Sequence, residues 1–155
     1  MSEQTAPAFN VQKIFLKDMS FESPNSPETF RKQWKPEVKM DMKSANKDLG
    51  NDNFEVVLTL TISTKVEDTV AFLVEVQQAG IFSIKNFSDD QKKHALNAYC
   101  QNVLFPYARE AIDNVVVKGG FPALMLAPIN FDAIYQQAQA KQAQAAKEKE
   151  SANVQ

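Results

Sequence analysis

Alternation of apolar and polar residues at period two marks four strands along the chain. The clearest runs from Phe54 to Ser63. Phe54, Val56, Leu58, Leu60 and Ile62 share one face, and Glu55, Thr59, Thr61 and Ser63 share the other. A second run, Val70 to Gln78, places Val70, Phe72, Val74 and Val76 on its even face and Ala71, Leu73, Glu75 and Gln77 on its odd face. A shorter strand covers Glu37 to Lys43, where Val38, Met40 and Met42 alternate with Lys39, Asp41 and Lys43. The first strand is mixed. Phe9, Val11, Phe15, Met19 and Phe21 oppose Asn10, Gln12, Asp18, Ser20 and Glu22, but Lys13 and Lys17 fall on the apolar side and Ile14 and Leu16 on the polar one. Prolines in Ser23 to Pro27 end that strand. Ser44 to Asn53 reads as a loop or hairpin turn, and Lys65 to Asp68 as a short turn. Short turns between alternating strands imply antiparallel pairing.

After Gly80 the period lengthens. Ser88 and Gln91 fit a capping box, and apolar residues then recur at three- and four-residue steps from Ala95 to Val116. That spacing predicts one long amphipathic helix. Pro106 should kink it or divide it, and Gly119 and Gly120 should stop it. Asn130 can cap a second helix that starts near Phe131. Beyond Tyr135 the run QQAQAKQAQAAKEKE favours helix by propensity but offers no large side chain to anchor one. The expected organisation is a flexible N-terminus over residues 1–8, one domain over 9–140, and a disordered Ala/Gln/Lys-rich tail over 141–155.

Between the two helices lies FPALMLAPINFDAIY, Phe121 to Tyr135. It is strongly apolar, yet two prolines break it and no regular period runs through it. So much apolar surface on irregular backbone must be covered, by the chain itself or by something else.

Composition narrows the function classes. In 155 residues there are 17 basic and 19 acidic side chains, so no dense basic patch points to nucleic acid. The first residues lack the charged and apolar regions of a signal peptide. No apolar run approaches the ~20 residues of a membrane helix. One cysteine excludes an internal disulfide framework. These features fit a cytoplasmic protein. Chemistry is sparse. His94 is the only histidine and has no metal-spaced partner; Cys100 sits at the spacing of a buried helix face, six residues from His94 and turned away from it. There is no phosphate-binding glycine motif, and no cofactor or metal is called for. A small enzyme with Cys100 as nucleophile is the rival reading, and it lacks a base.

Binding residues are easier to nominate. Most of the 11 phenylalanines read as core, with Phe54 and Phe72 on regular strand faces. Phe30 and Trp34 instead lie in a charged connection, Met40 and Met42 on a short strand, and Phe131 and Tyr135 at a helix start. Adaptable methionines and rigid rings suit partners of varied shape. Separately, Asp18 and Glu22 share a strand face, as do Leu73 and Glu75. They mark either a solvated sheet face or a docking surface for a basic partner.

Taken together, KDMSFESPNSPETF, WKPEVKMDM, AFLVEVQQAGIFSI, AYCQNVLFPYARE and FPALMLAPINFDAIY resemble the SecB family of export chaperones over roughly residues 9–135. The resemblance implies an α+β fold: a four-stranded antiparallel sheet, a long helix and a second C-terminal helix, assembled as a homotetramer. It implies a non-enzymatic chaperone that binds unfolded precursor proteins, keeps them translocation-competent and delivers them to the SecA ATPase. A chaperone of the same fold serving other unstable clients, such as antitoxins, is the alternative. By position, the family's SecA-docking surface corresponds to Asp18, Glu22, Leu73 and Glu75. Residues affecting tetramer association correspond to Val74, Val76 and Gln78. The client groove corresponds to Phe30, Trp34, Val38, Met40, Met42, Phe131, Ile134 and Tyr135.

Overall fold

A computed structural model describes residues 6–153. Most of the expected flexible N-terminus, residues 1–5, lies outside the described residues. Four strands form one antiparallel sheet: β1 (Ala8–Glu22), β2 (Glu37–Gly50), β3 (Asn53–Val66) and β4 (Thr69–Lys85), in the order β1-β4-β3-β2. The consecutive strands β2, β3 and β4 pair as hairpins. Their two-residue loops, Asn51-Asp52 and Glu67-Asp68, all have positive φ, the geometry that matches strand twist.

Three strands outrun their expected lengths: β3 runs to Val66, taking in Lys65 and Val66 of the expected turn, and β2 and β4 extend further. β2 continues through Ser44 to Gly50, where the polar sequence suggested a loop, because each residue finds a ladder partner on β3 as far as Asp48 opposite Phe54. β4 continues through Gly80 to Lys85. A Cβ at Gly80 would lie 2.8 Å from the Phe82 ring and 3.1 Å from the Lys13 carbonyl, so here glycine admits a close approach by β1.

The mixed faces of β1 have a simple cause. Its register against β4 slips between Val11 and Lys13 and again between Leu16 and Asp18. Each bulge absorbs one residue and reverses the alternation. Phe9, Val11, Ile14, Leu16, Met19 and Phe21 then all share the face of Ile84, Phe82, Gly80, Gln78, Val76 and Val74. Asn10, Lys13, Phe15, Asp18, Ser20 and Glu22 face the other way.

The helical layer covers one sheet face. α1 (Asp89–His94), a π-helical turn (Ala95–Tyr99) and α2 (Cys100–Lys118) follow one another without a break. Ser88 accepts from the Gln91 amide and the Gln91 side chain accepts from the Ser88 amide, completing the capping box. Pro106 does not divide the helix; the irregular turn lies earlier, at Ala95–Tyr99. Proline deprives only the Asn102 carbonyl of its helical donor, and Asn102 is exposed to water. α2 packs on β4 and β3. Between them lie Val56, Leu58, Leu60, Ile62, Phe72, Val74, Val76, Leu104, Ala108, Ile112 and Val116, all sealed from solvent. Finally, α3 (Phe131–Ala152) docks by its first turns against the π-helical turn. The helix extends to Ala152, where composition suggested a disordered tail; alanine, glutamine and lysine have high helix propensity. Every residue from Gln136 to Asn153 is exposed.

Candidate functional site

Two surfaces emerge, one on each face of the sheet. On the helix side, the connection from β1 to β2 crosses the end of the sheet. It is tied down by Asn25, whose Nδ2 donates to the Val70 carbonyl at 2.9 Å. The crossing delivers Phe30 and Trp34 onto Phe121, with ring centroids 5.0 and 5.7 Å away. Phe121 in turn lies 4.9 Å from Phe72, and Phe72 5.9 Å from Phe21. This aromatic stack is sealed below and open above: Phe121 is 4% exposed and Phe30 is 49% exposed.

From that stack an apolar row runs down β2. Val38 stands opposite Thr64, Met40 opposite Ile62, and Met42 opposite Leu60. These side chains are the outer ends of cross-strand rows whose inner members are core. Val38 is 46% exposed and the two methionines are half-buried. The row ends at Ser44, whose hydroxyl accepts from the Gln101 side chain. Gln101 also donates to the Leu96 carbonyl at 2.8 Å. Phe105, one helical turn beyond Gln101 and so on the same side of α2, holds Phe131 at 5.9 Å.

The nominated helix residues therefore divide. Phe131 is buried, so it anchors α3 instead of presenting itself to a client. Ile134 is 44% exposed, and Tyr135 stacks on His94 at 5.2 Å. His94 is not merely a solvent-facing histidine: its Nε2 lies 2.7 Å from Asp132 Oδ1, tying α1 to α3. Between the two ends, the loop 121–130 is held by Asp113, whose carboxylate accepts from the Leu124 and Met125 amides at 3.0 and 3.3 Å. Met125 protrudes with φ 51°. Phe121, Met125, Asp113 and Gln101 were not nominated from sequence. Only the apolar, proline-broken composition of the loop signalled the first two.

Among the described residues the other sheet face carries no helix. Here the bulges of β1 align Asp18, Ser20 and Glu22 with Gln77, Glu75 and Leu73 of β4. All four nominated docking residues, Asp18, Glu22, Leu73 and Glu75, thus fall on one flat patch. Glu75 accepts from the Thr61 hydroxyl at 3.0 Å, which orients its carboxylate. Val74, Val76 and Gln78 point the opposite way, into the protomer's own core, and are 4% exposed or less. Gln78 donates to the Phe15 carbonyl at 3.0 Å. They reach no surface.

Among the described residues no nucleophile and base are brought together. Cys100 is buried, and burial pushes its thiol up to about 12. A thiol that stays protonated is a poor nucleophile. Among the described residues no group of three His, Cys, Asp or Glu side chains could hold a metal, and no helix is long and apolar enough to cross a membrane.

A family profile described as "Preprotein translocase subunit SecB" matches residues 2–142. The chain belongs to the SecB family. Among its relatives, the protein-export protein SecB of Hahella chejuensis is 56% identical over 146 residues, covering 92% of both chains. The SecB of Pseudomonas savastanoi pv. phaseolicola is 56% identical over 136 residues, covering 88% of this chain and 84% of its own. In fold the chain is similar to the SecB-like chaperone of Mycobacterium tuberculosis, solved with a ChAD peptide from the HigA1 antitoxin. The TM-score is 0.65 at 13% identity, over 78% of this chain and 90% of that one. SecB is a family of protein-export chaperones, and the α+β architecture expected from the resemblance is the one observed.

Proposed function

We propose that this SecB protein binds unfolded precursors along the uncovered apolar row and passes them to SecA from the acidic sheet face. One observation carries the first half. Val38, Met40 and Met42 continue the core rows of the sheet, yet no helix closes over them, and Trp34 and Phe30 extend the same surface at one end. Fully burying one such side chain is worth about 1.5–3 kcal/mol, so a single contact holds a client weakly. An extended client of ten residues spans roughly 33–36 Å. It can engage several weak subsites at once, and more again in a homotetramer, where effective concentration multiplies their effect. Grip then needs no sequence specificity. Native proteins escape because their apolar segments are already buried.

Delivery rests on Asp18, Glu22 and Glu75 around the half-exposed Leu73. Their common face and exposure support docking of a basic element of SecA, steered by charge and weakened by salt. Val74, Val76 and Gln78 would affect tetramer association by setting how α2 lies on β4. The setting is the cytoplasm, upstream of the translocon. No ATP is hydrolysed by the chaperone in this scheme.

Mixing the purified protein with a slowly folding precursor tests both halves. Folding should be retarded in proportion to chaperone, and adding SecA should draw the complex onto SecA. Charge reversal in Asp18→Lys/Glu75→Lys should abolish transfer and leave the retardation intact. Loss of both activities together would show that the acidic face is structural.

A further inference from the structure

The open sheet face is not acidic throughout. Its cross-strand rows, read across β2, β3, β4 and β1, run Lys39-Ser63-Leu73-Glu22, Asp41-Thr61-Glu75-Ser20, Lys43-Thr59-Gln77-Asp18, Ala45-Val57-Ala79-Phe15 and Lys47-Glu55-Ile81-Lys13. The first two rows hold the acids Glu22, Asp41 and Glu75, with Lys39. The row Ala45-Val57-Ala79-Phe15 is apolar across all four strands. Lysines flank it on both sides: Lys43 in the row above, Lys47 and Lys13 in the row below, and Lys17 on the second bulge of β1. Ala45 and Val57 of this row line a shallow depression of about 290 Å3, whose walls also include Lys17, Lys47, Glu55 and Gln77, while Ala79 is sealed beneath.

Two features separate this region from an ordinary solvated face. Lys17 sits on an edge strand, where a lysine usually turns outward and discourages pairing. The bulge re-aims it inward, over β4 to Glu55 on β3, at 3.0 and 3.1 Å. Lys43 and Lys47, by contrast, are exposed and form no ion pair among the described residues. Lys47 stands opposite Glu55, which Lys17 already engages, so positive charge outweighs negative beside the trough. Asp18 shares a row with Lys43, three strands away, or about 14 Å at 4.7–4.9 Å per strand. That exceeds the Debye length of about 8 Å at physiological salt, so a docking chain meets Asp18 and Lys43 as separate charges, although Asp41 lies two residues from Lys43 on the same face of β2.

We infer that the open face carries a second subsite beside the acidic patch, formed by Ala45 and Val57 and bordered by Lys17, Lys43 and Lys47, which takes an acidic and apolar stretch of the same docking protein. The inference rests on the reading that this face docks SecA. A partner segment of mixed charge is then fixed in direction: its basic part lies on Asp18, Glu22 and Glu75, its small apolar side chains lie in the trough, and its carboxylates meet Lys43 and Lys47. A wholly basic partner would instead be repelled by those lysines. Lysines that merely guard the β2 edge would have no effect on docking.

Equilibrium binding of purified SecA to the full-length chain separates these cases by sign. Lys43→Glu/Lys47→Glu should weaken binding about ten-fold at low salt, as expected for two exposed charge contacts reversed. Lys43→Arg/Lys47→Arg should bind like wild type. Both variants should keep native mass and client binding, since these side chains are exposed. Unchanged or tighter binding by the glutamate variant would overturn the inference while the effect of Asp18→Lys/Glu75→Lys stood. A wild-type chain that failed to bind SecA at all would overturn the SecA reading and this inference with it.

Discussion

β3 and β2 are neighbours with the same alternating pattern, and they meet opposite fates. Val56, Leu58, Leu60 and Ile62 of β3 are all at 0% exposure. On the same face of β2, no residue is buried: Val38, Met40 and Met42 are partly or largely open, and Ser44, Asn46 and Asp48 are polar. The difference lies in what covers them. α2 lies over β4 and β3 and reaches β2 through the Gln101 side chain at Ser44. One hydropathy pattern thus yields core where a helix caps it and a candidate binding surface where the cap stops one strand short. Methionine fits the uncapped position, since it packs adequately against many shapes.

The sharpest way to break this comparison is to truncate an inner and an outer member of one row. Leu60 stands opposite Met42 on one side and Val76 on the other. Leu60→Ala should cost about 2–5 kcal/mol of folding stability in urea unfolding, the usual price of a sealed cavity. Met42→Ala should cost less than about 1 kcal/mol and act on clients instead. Equal losses would mean that β2 is core after all. Replacing Val38, Met40 and Met42 together by serine should weaken binding of an unfolded client at least about ten-fold, since each apolar contact is worth more than 1 kcal/mol, with native mass retained.

pH gives a third probe, confined to the covered side. The buried Cys100 thiol is held up to about 12 from an ordinary 9.0. Below pH 9 the group is protonated in folded and unfolded chains alike and contributes no slope. Between 9 and about 12 only the unfolded chain loses the proton, so stability should fall by about 1.4 kcal/mol per pH unit from this group. Cys100→Ala should remove that part of the slope. Iodoacetamide at neutral pH should label the thiol only as fast as the protein opens. The smallest effect is expected from deleting residues 141–155: no side chain of α3 beyond Phe131 is buried, so stability should change by less than about 0.5 kcal/mol.

Much of this was legible in the sequence because period two and period 3.6 speak directly of faces. The even faces of β3 and β4, the capping box at Ser88 and the Asn130 cap are all local signals. The faces of β1 were obscured by its two bulges, since each inserted residue inverts the alternation and neither carries a distinctive residue type. Polar Ser44 to Gly50 gave no strand signal because β2 is an edge with nothing above its far half. Within the candidate site, Trp34 and the methionines stood out as large apolar groups in polar surroundings. The burial of Phe131 did not, because its partner Phe105 lies 26 positions away in the chain. His94 and Asp132 form their pair across a still wider gap of 38 positions.

Trp34 is the only tryptophan in the chain, and it stands where the aromatic stack meets the β2 row. Its emission therefore reports directly on whether unfolded polypeptide covers that surface. Titration with an unfolded client lacking tryptophan should shift Trp34 emission to the blue, saturating together with client binding measured independently. Client binding of full affinity with Trp34 emission unchanged would contradict the account.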